Sequence, residues 1–184
     1  MSEEPPAKKQ KSAEDWAEHK MNISEAVMKA DEGRNLTDIA GESIHVIQGI
    51  GPMSEKILEA MGVKTVKDLA TYKYFIMARA IKVLAETETE GGRPEGSVMN
   101  IDHAVDKDFE SKSLTELLEA PLSALEGLTE KADDLLGELH CKTIGDLADL
   151  KYCKWAEAIV ELAKVEELKT KHERKVESAL KKLS

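Results

Sequence analysis

Aromatic residues are scarce, with Trp, Tyr and Phe together only 4% of the 184-residue chain. A core built on stacked rings is thereby excluded. The interior must be assembled from Leu, Ile, Val, Ala and Met, a palette rich in good helix formers that predicts an all-α protein. Cysteine is nearly absent too: only Cys141 and Cys153 occur. Two cysteines support no disulfide framework, and their spacing is not that of a metal pair, so both are read as reduced, core-facing thiols. No stretch approaches the ~18 consecutive apolar residues of a membrane span. There is no His-Glu-x-x-His pair and no Gly-rich loop ending in Lys-Ser/Thr, so neither zincin nor phosphate-loop chemistry is expected. His19, His45, His103, His140 and His172 are scattered. Asp102, His103, Asp106 and Asp108 form the one local acid–histidine cluster, which reads as a solvated helix start. The expectation is a non-enzyme with no cofactor, no metal and no small-molecule substrate.

What is present is charge. Lys and Arg number 26 against 36 Asp and Glu, a formal net charge of −10. That balance favours solubility and opposes non-specific attraction to nucleic acid or anionic membrane. Residues 1–12 carry two prolines and nothing to bury, which reads as a disordered tail. Its segment Pro5–Lys11, PPAKKQK, is similar to a short nuclear-import signal. A soluble, intracellular protein is expected, cytoplasmic or nuclear, with no membrane partner.

The chain also repeats itself. Ile47–Ala70 reads IQGIGPMSEKILEAMGVKTVKDLA, and Leu125–Ala148, 78 residues later, reads LEGLTEKADDLLGELHCKTIGDLA. The same offset matches Met21-Asn22-Ile23 with Met99-Asn100-Ile101 and Leu36-Thr37 with Leu114-Thr115. A unit this long predicts a duplicated small domain rather than a solenoid repeat. The boundaries read as tail 1–12, first unit 13–88, linker 89–98 (rich in Gly and Pro), and second unit 99–184. An amphipathic helix is expected from Ser12 to Gly33, through Trp16, Ile23, Ala26, Val27 and Ala30. Leu58/Leu136, Val66/Ile144, Leu69/Leu147, Ala78/Ala156, Ile81/Ile159 and Leu84/Leu162 fall on apolar helix faces. Thr65 with Asp68, and Thr143 with Asp146, have capping-box spacing. Tyr74 and Tyr152 are placed near the start of each unit's last helix, ring inward and hydroxyl at the rim.

Gly49-Ile50-Gly51-Pro52 leads straight into a helix-patterned run that Gly62 stops. This stretch resembles the helix-hairpin-helix motif of DNA-repair and replication proteins, and its second copy is a degenerate match. The resemblance implies two tandem helix-hairpin-helix-like units. It also implies a nucleic-acid contact in which the amides of Gly49 and Gly51, with Ile50 plugging the turn, face a phosphate. Lys56 with Lys64 or Lys67 would supply the positive charge. The second copy puts Thr129 and Glu130 in place of Gly51 and Pro52, and Asp133-Asp134 in place of Glu55-Lys56. Residues 44–86 carry six basic against four acidic residues, whereas 122–164 carry five against nine. Only the first hairpin is therefore a candidate for DNA.

The C-terminal run is expected to extend the last helix into one long amphipathic helix that packs back on the body. Val165, Leu168, Val176, Leu180 and Leu183 form its stripe. Together with Trp16 they are the candidate partner-binding residues. The leading functional expectation is a helical protein-interaction or scaffold protein that binds a protein partner or itself. DNA binding through the first hairpin is the alternative.

Overall fold

The computed structural model describes residues 22–92, 94–97 and 100–183. The tail 1–12, the import-like segment Pro5–Lys11 and Trp16 lie outside them. Among the described residues every regular element is helical: α1 (Leu36–Gly41), α2 (Pro52–Ala60), α3 (Val66–Ala70), α4 (Lys73–Ala85), α5 (Leu114–Leu118), α6 (Glu130–Gly137), α7 (Ile144–Asp149), α8 (Lys151–Ala163) and α9 (Lys171–Lys181). Single 3-10 turns at Ile44–Val46, Lys107–Phe109 and Leu122–Ala124 join them. No helix among the described residues is long and apolar enough to cross a membrane.

The short helices form because their first turns are closed by side chains. The Thr65 hydroxyl accepts from the Asp68 N–H, while the Asp68 carboxylate accepts from the N–H of Thr65. Thr143 and Asp146 do the same for α7, Ser113 and Glu116 for α5, and Thr170 and Glu173 for α9. Such reciprocal capping satisfies amides that a helix start otherwise leaves orphaned. Backbone donors hold the carboxyls of Asp68 and Asp146 below the usual carboxylate range, led by the N–H of Thr65 for Asp68 and of Lys142 for Asp146. A carboxyl depressed on folding contributes its stability above the unfolded value and loses it as pH falls through the folded one. Replacing both Asp68 and Asp146 with Asn should therefore flatten the loss of stability below about pH 4. Urea midpoints across that range would check it, and unchanged acid sensitivity would contradict it.

The segment before α1 departs from the expected helix. From Asn22 to Arg34 the described chain runs in turns, with Val27 bridged antiparallel to Ile47. The Met28 N–H donates to the Val46 carbonyl and the Gln48 N–H to that of Ala26. Those ladder bonds draw the backbone out of the helical register that the side-chain spacing alone suggests. Val105 and Leu125 are bridged in the same way, as are Ser43 with Thr65 and Pro121 with Thr143. Each of these pairs has its counterpart 78 residues on.

The arrangement of the two longest helices decides the fold. α4 makes its most extensive contacts with α5 and α7, and α8 makes its own with α1 and α3. Each long helix thus crosses to the opposite half, and among the described residues the two halves share one core. Phe75, Ala78 and Ile81 of α4 join Leu117, Ile144 and Leu147 in one buried cluster, alongside Leu69, Val66 and Ile39. Four further contacts fasten the crossing. Arg79 pairs with Glu157, its own counterpart at the offset of 78, and Lys82 with Asp149. The Glu88 carboxylate accepts from the N–H groups of Leu114 and Thr115 at the start of α5. Glu166 accepts likewise from Leu36 and Thr37 at the start of α1.

Two expectations about apolar surface are corrected. Leu84 and Leu162 are 56% and 47% exposed rather than buried. Each lies near the C-terminal end of its long helix. The single long C-terminal helix is also absent: α8 ends at Ala163, and α9 begins only at Lys171. The capture of Glu166 by the start of α1 pins the chain there and diverts it from the line of α8. No residue of α9 is buried, so this helix does not pack back on the body.

Candidate functional site

The first hairpin presents a glycine turn against the start of α2. Gly49 has φ +92°, a backbone angle that disfavours any Cβ, and Gly127 has φ +95° at the matching position. Ile50 is buried and plugs the turn from below. Gly51 is the N-cap of α2 with φ −84°, Pro52 follows at the first helical position, and no side chain caps the helix. A Cβ on Gly51 would meet nothing within 4 Å, and Thr129 occupies the matching place with extended backbone. The fold therefore requires glycine at 49 and does not require it at 51.

The crossing of α8 completes this corner. The Tyr152 hydroxyl donates to the Gly49 carbonyl at 3.2 Å, and a Cβ on Gly49 would sit 3.2 Å from the Tyr152 ring. Lys151 Nζ lies 5.2 Å from the Tyr152 ring centroid and 5.3 Å from that of Trp155. A cation stacked on two rings thus stands beside the hairpin of the opposite half. The sequence places Tyr152 at the start of its unit's last helix, ring inward, without specifying the hairpin it meets, and does not single out Lys151. The available signal is the Lys-Tyr pair that opens each long helix, Lys73-Tyr74 and Lys151-Tyr152.

The second hairpin is packed the same way, with the Tyr74 hydroxyl 2.7 Å from where a Gly127 Cβ would lie. Gly127→Ala is expected to cost about 1–3 kcal/mol through backbone strain and this clash. Tyr74→Phe in the same chain should recover part of the loss by removing the hydroxyl. Chemical denaturation of the single and double variants checks this, and a neutral Gly127→Ala would contradict it.

The remaining residues predicted for nucleic acid divide. Lys56 is exposed on α2, one turn beyond the hairpin. Lys64 and Lys67 follow the C-terminal end of α2, which is about 13.5 Å long, and the Lys64 N–H donates to the Asp68 carboxylate. The Lys64 carbonyl in turn accepts from the Ile44 N–H at 3.1 Å, which returns this segment to the 3-10 turn before the hairpin. Asp133 is turned inward, its carboxylate accepting the Ser123 N–H at 2.9 Å. Its counterpart Glu55 likewise accepts from the Ser43 hydroxyl at 3.0 Å. Both acids tie the first turn of a helix to the 3-10 turn before it.

An apolar groove of about 580 Å³ opens between the turn at 22–26, α1 and α8, lined by Ile23, Ala26, Leu36, Trp155, Ile159 and Leu162. Of the predicted partner-binding residues, Val165, Leu168, Val176, Leu180 and Leu183 are all exposed, Leu180 at 61% and Leu183 at 85%.

Elsewhere the two thiols and a tyrosine hydroxyl are sequestered. Cys141 and Cys153 are both free and buried. Burial pushes the Cys141 thiol up to about 12 and the Cys153 thiol higher still, which leaves neither as a thiolate near neutrality. Tyr72, beside them, is also raised by burial. No group of three or more His, Cys, Asp or Glu among the described residues could hold a metal ion. The Asp106 carboxylate accepts from the Asp108 N–H at the start of a 3-10 turn. The chain matches no family model, no curated protein and no solved structure.

Proposed function

We propose that this chain is a non-enzymatic, helical protein-interaction or scaffold protein. In this reading it arose by duplication of a helix-hairpin-helix-like unit, and its apolar surfaces bind protein. The observation that carries the proposal is α9. It is an amphipathic helix with its own capping box, and Val176, Leu180 and Leu183 face solvent. A groove lined by Trp155 and aliphatic side chains lies open on the body. Paired apolar surfaces of this kind suit helix-in-groove recognition, in which aliphatic anchors three or four residues apart enter a hydrophobic cleft. A photo-reactive residue placed at 180 should form covalent adducts with protein in an extract of the native host. The same residue at the exposed position 134 should not. Absence of any adduct from position 180 would overturn the reading.

DNA binding through the first hairpin is the second reading, favoured by one specific observation. Gly51 is a glycine that the backbone does not require, at a helix start that carries Lys56 one turn on, and Lys151 stacks on the Tyr152 ring whose hydroxyl meets Gly49. Amides at an uncapped helix start with cations nearby suit a phosphate. Duplex or single-stranded DNA should then be retained at low salt and released as salt rises. Lys56→Glu combined with Gly51→Asp should weaken binding about tenfold or more, and substitutions at Asp133 and Asp134 should leave it intact. No retention at low salt would remove this reading.

A further inference from the structure

We propose that α9 of one copy docks in the Trp155 groove of a second copy, and that the exchange is reciprocal, giving a twofold dimer. The inference rests on the protein-interaction reading above and names its partner as this same chain. α9 has eleven residues and buries none of them. Isolated helices shorter than about 12–15 residues are marginal in water, so a stripe of Val176, Leu180 and Leu183 calls for a cover.

Charge selects the cover. Residues 169–183 hold six basic and two acidic side chains, a net of +4, which leaves −14 on the rest of the chain. Pairing this segment with its own copy would set +4 against +4. Docking it on the body of another copy joins opposite charges. The one charged side chain lining the groove is Glu25, which suits this polarity.

The connection favours exchange between chains. Glu166 is fixed to the N–H groups of Leu36 and Thr37 and to the Thr37 hydroxyl, and Leu36 itself lines the groove. The chain therefore leaves the body at the rim of the groove. Lys169 then pairs with both Glu167 and Glu177, bracing the connecting segment against α9. Two copies facing each other across a twofold axis would each offer an emergent helix to the other's open groove, the self-complementary geometry of an isologous dimer.

The test is the mass of the full chain in solution across micromolar concentrations, by light scattering and sedimentation. The expected result is a dimer whose dissociation constant rises about 10- to 100-fold in Leu180→Glu. Ala158→Lys, which adds charge of the same sign as the docking segment, should do the same. Ala158 lines the groove but is exposed, so its replacement leaves the core untouched. An equimolar mixture of the two variants retains one intact helix and one intact groove, and should recover part of the association. A monomer throughout would overturn the proposal, as would a dimer indifferent to Ala158→Lys. A monomer whose position 180 still cross-links to a different protein would overturn the self-exchange and leave the interaction reading standing. A monomer with no adduct would overturn both.

Discussion

Phe75→Ala is expected to destabilise the entire chain by about 3–5 kcal/mol, lowering the melting temperature by roughly 8–16 °C at this size. Phe75 is fully buried and is one of only two phenylalanines. Its helix, α4, lies against α5 and α7 of the opposite half. Removing the ring leaves a cavity at the crossing, and neighbouring side chains refill such a space only in part. The informative readout is the fluorescence of Trp155, which stands on α8 in the second half, recorded in a Trp16→Phe background. With a shared core, Trp155 must report the same lowered transition as far-ultraviolet circular dichroism. If the first half melted early while Trp155 kept its original midpoint, two private cores would be indicated instead.

Fragments 1–92 and 93–184, produced as separate chains, are expected to assemble into a 1:1 complex with the helical content of the intact protein, and neither should be a folded monomer alone. The reason is again where the long helices go. Fragment 1–92 keeps α4 but loses α5 and α7, the surfaces on which its apolar face is buried. It also keeps α1 and α3 but loses α8, which covers them. The connection near 89–98 then contributes effective concentration rather than contacts. The Glu88 cap on α5 and the Glu166 cap on α1 would form between chains as they do within one. Circular dichroism and sedimentation of each fragment and of the mixture provide the check. A folded, monomeric 1–92 would contradict the crossed arrangement.

How far the sequence could be read follows from which interactions are local. Thr65 and Asp68 are three residues apart, so their capping box is legible from spacing alone. So is the demand for glycine at 49, since a tight turn into a proline-led helix leaves few alternatives. The partner of an amphipathic face is a different matter. The apolar stripe of α4 reads identically whether it lies on α3 or on α7, because periodicity specifies a face and not what covers it. Placing Tyr152 against Gly49 depended on that missing information, and so did the position of Lys151 in the candidate site. The turns at 22–34 illustrate a second limit. Ile23, Ala26, Val27 and Ala30 have helical spacing, but the bridge from Val27 to Ile47 is made with a segment some twenty residues distant and prevails over local propensity. The interruption between α8 and α9 has the same origin, since Glu166 is captured by a helix start 130 residues earlier in the chain.

The crossing of the long helices is tested most directly by proton–proton contacts in the labelled full-length protein. The account predicts nuclear Overhauser effects from the Tyr152 ring to the α-protons of Gly49 and from the Tyr74 ring to those of Gly127. Contacts of Tyr152 with Gly127 and of Tyr74 with Gly49, each tyrosine meeting the hairpin of its own half, would contradict it.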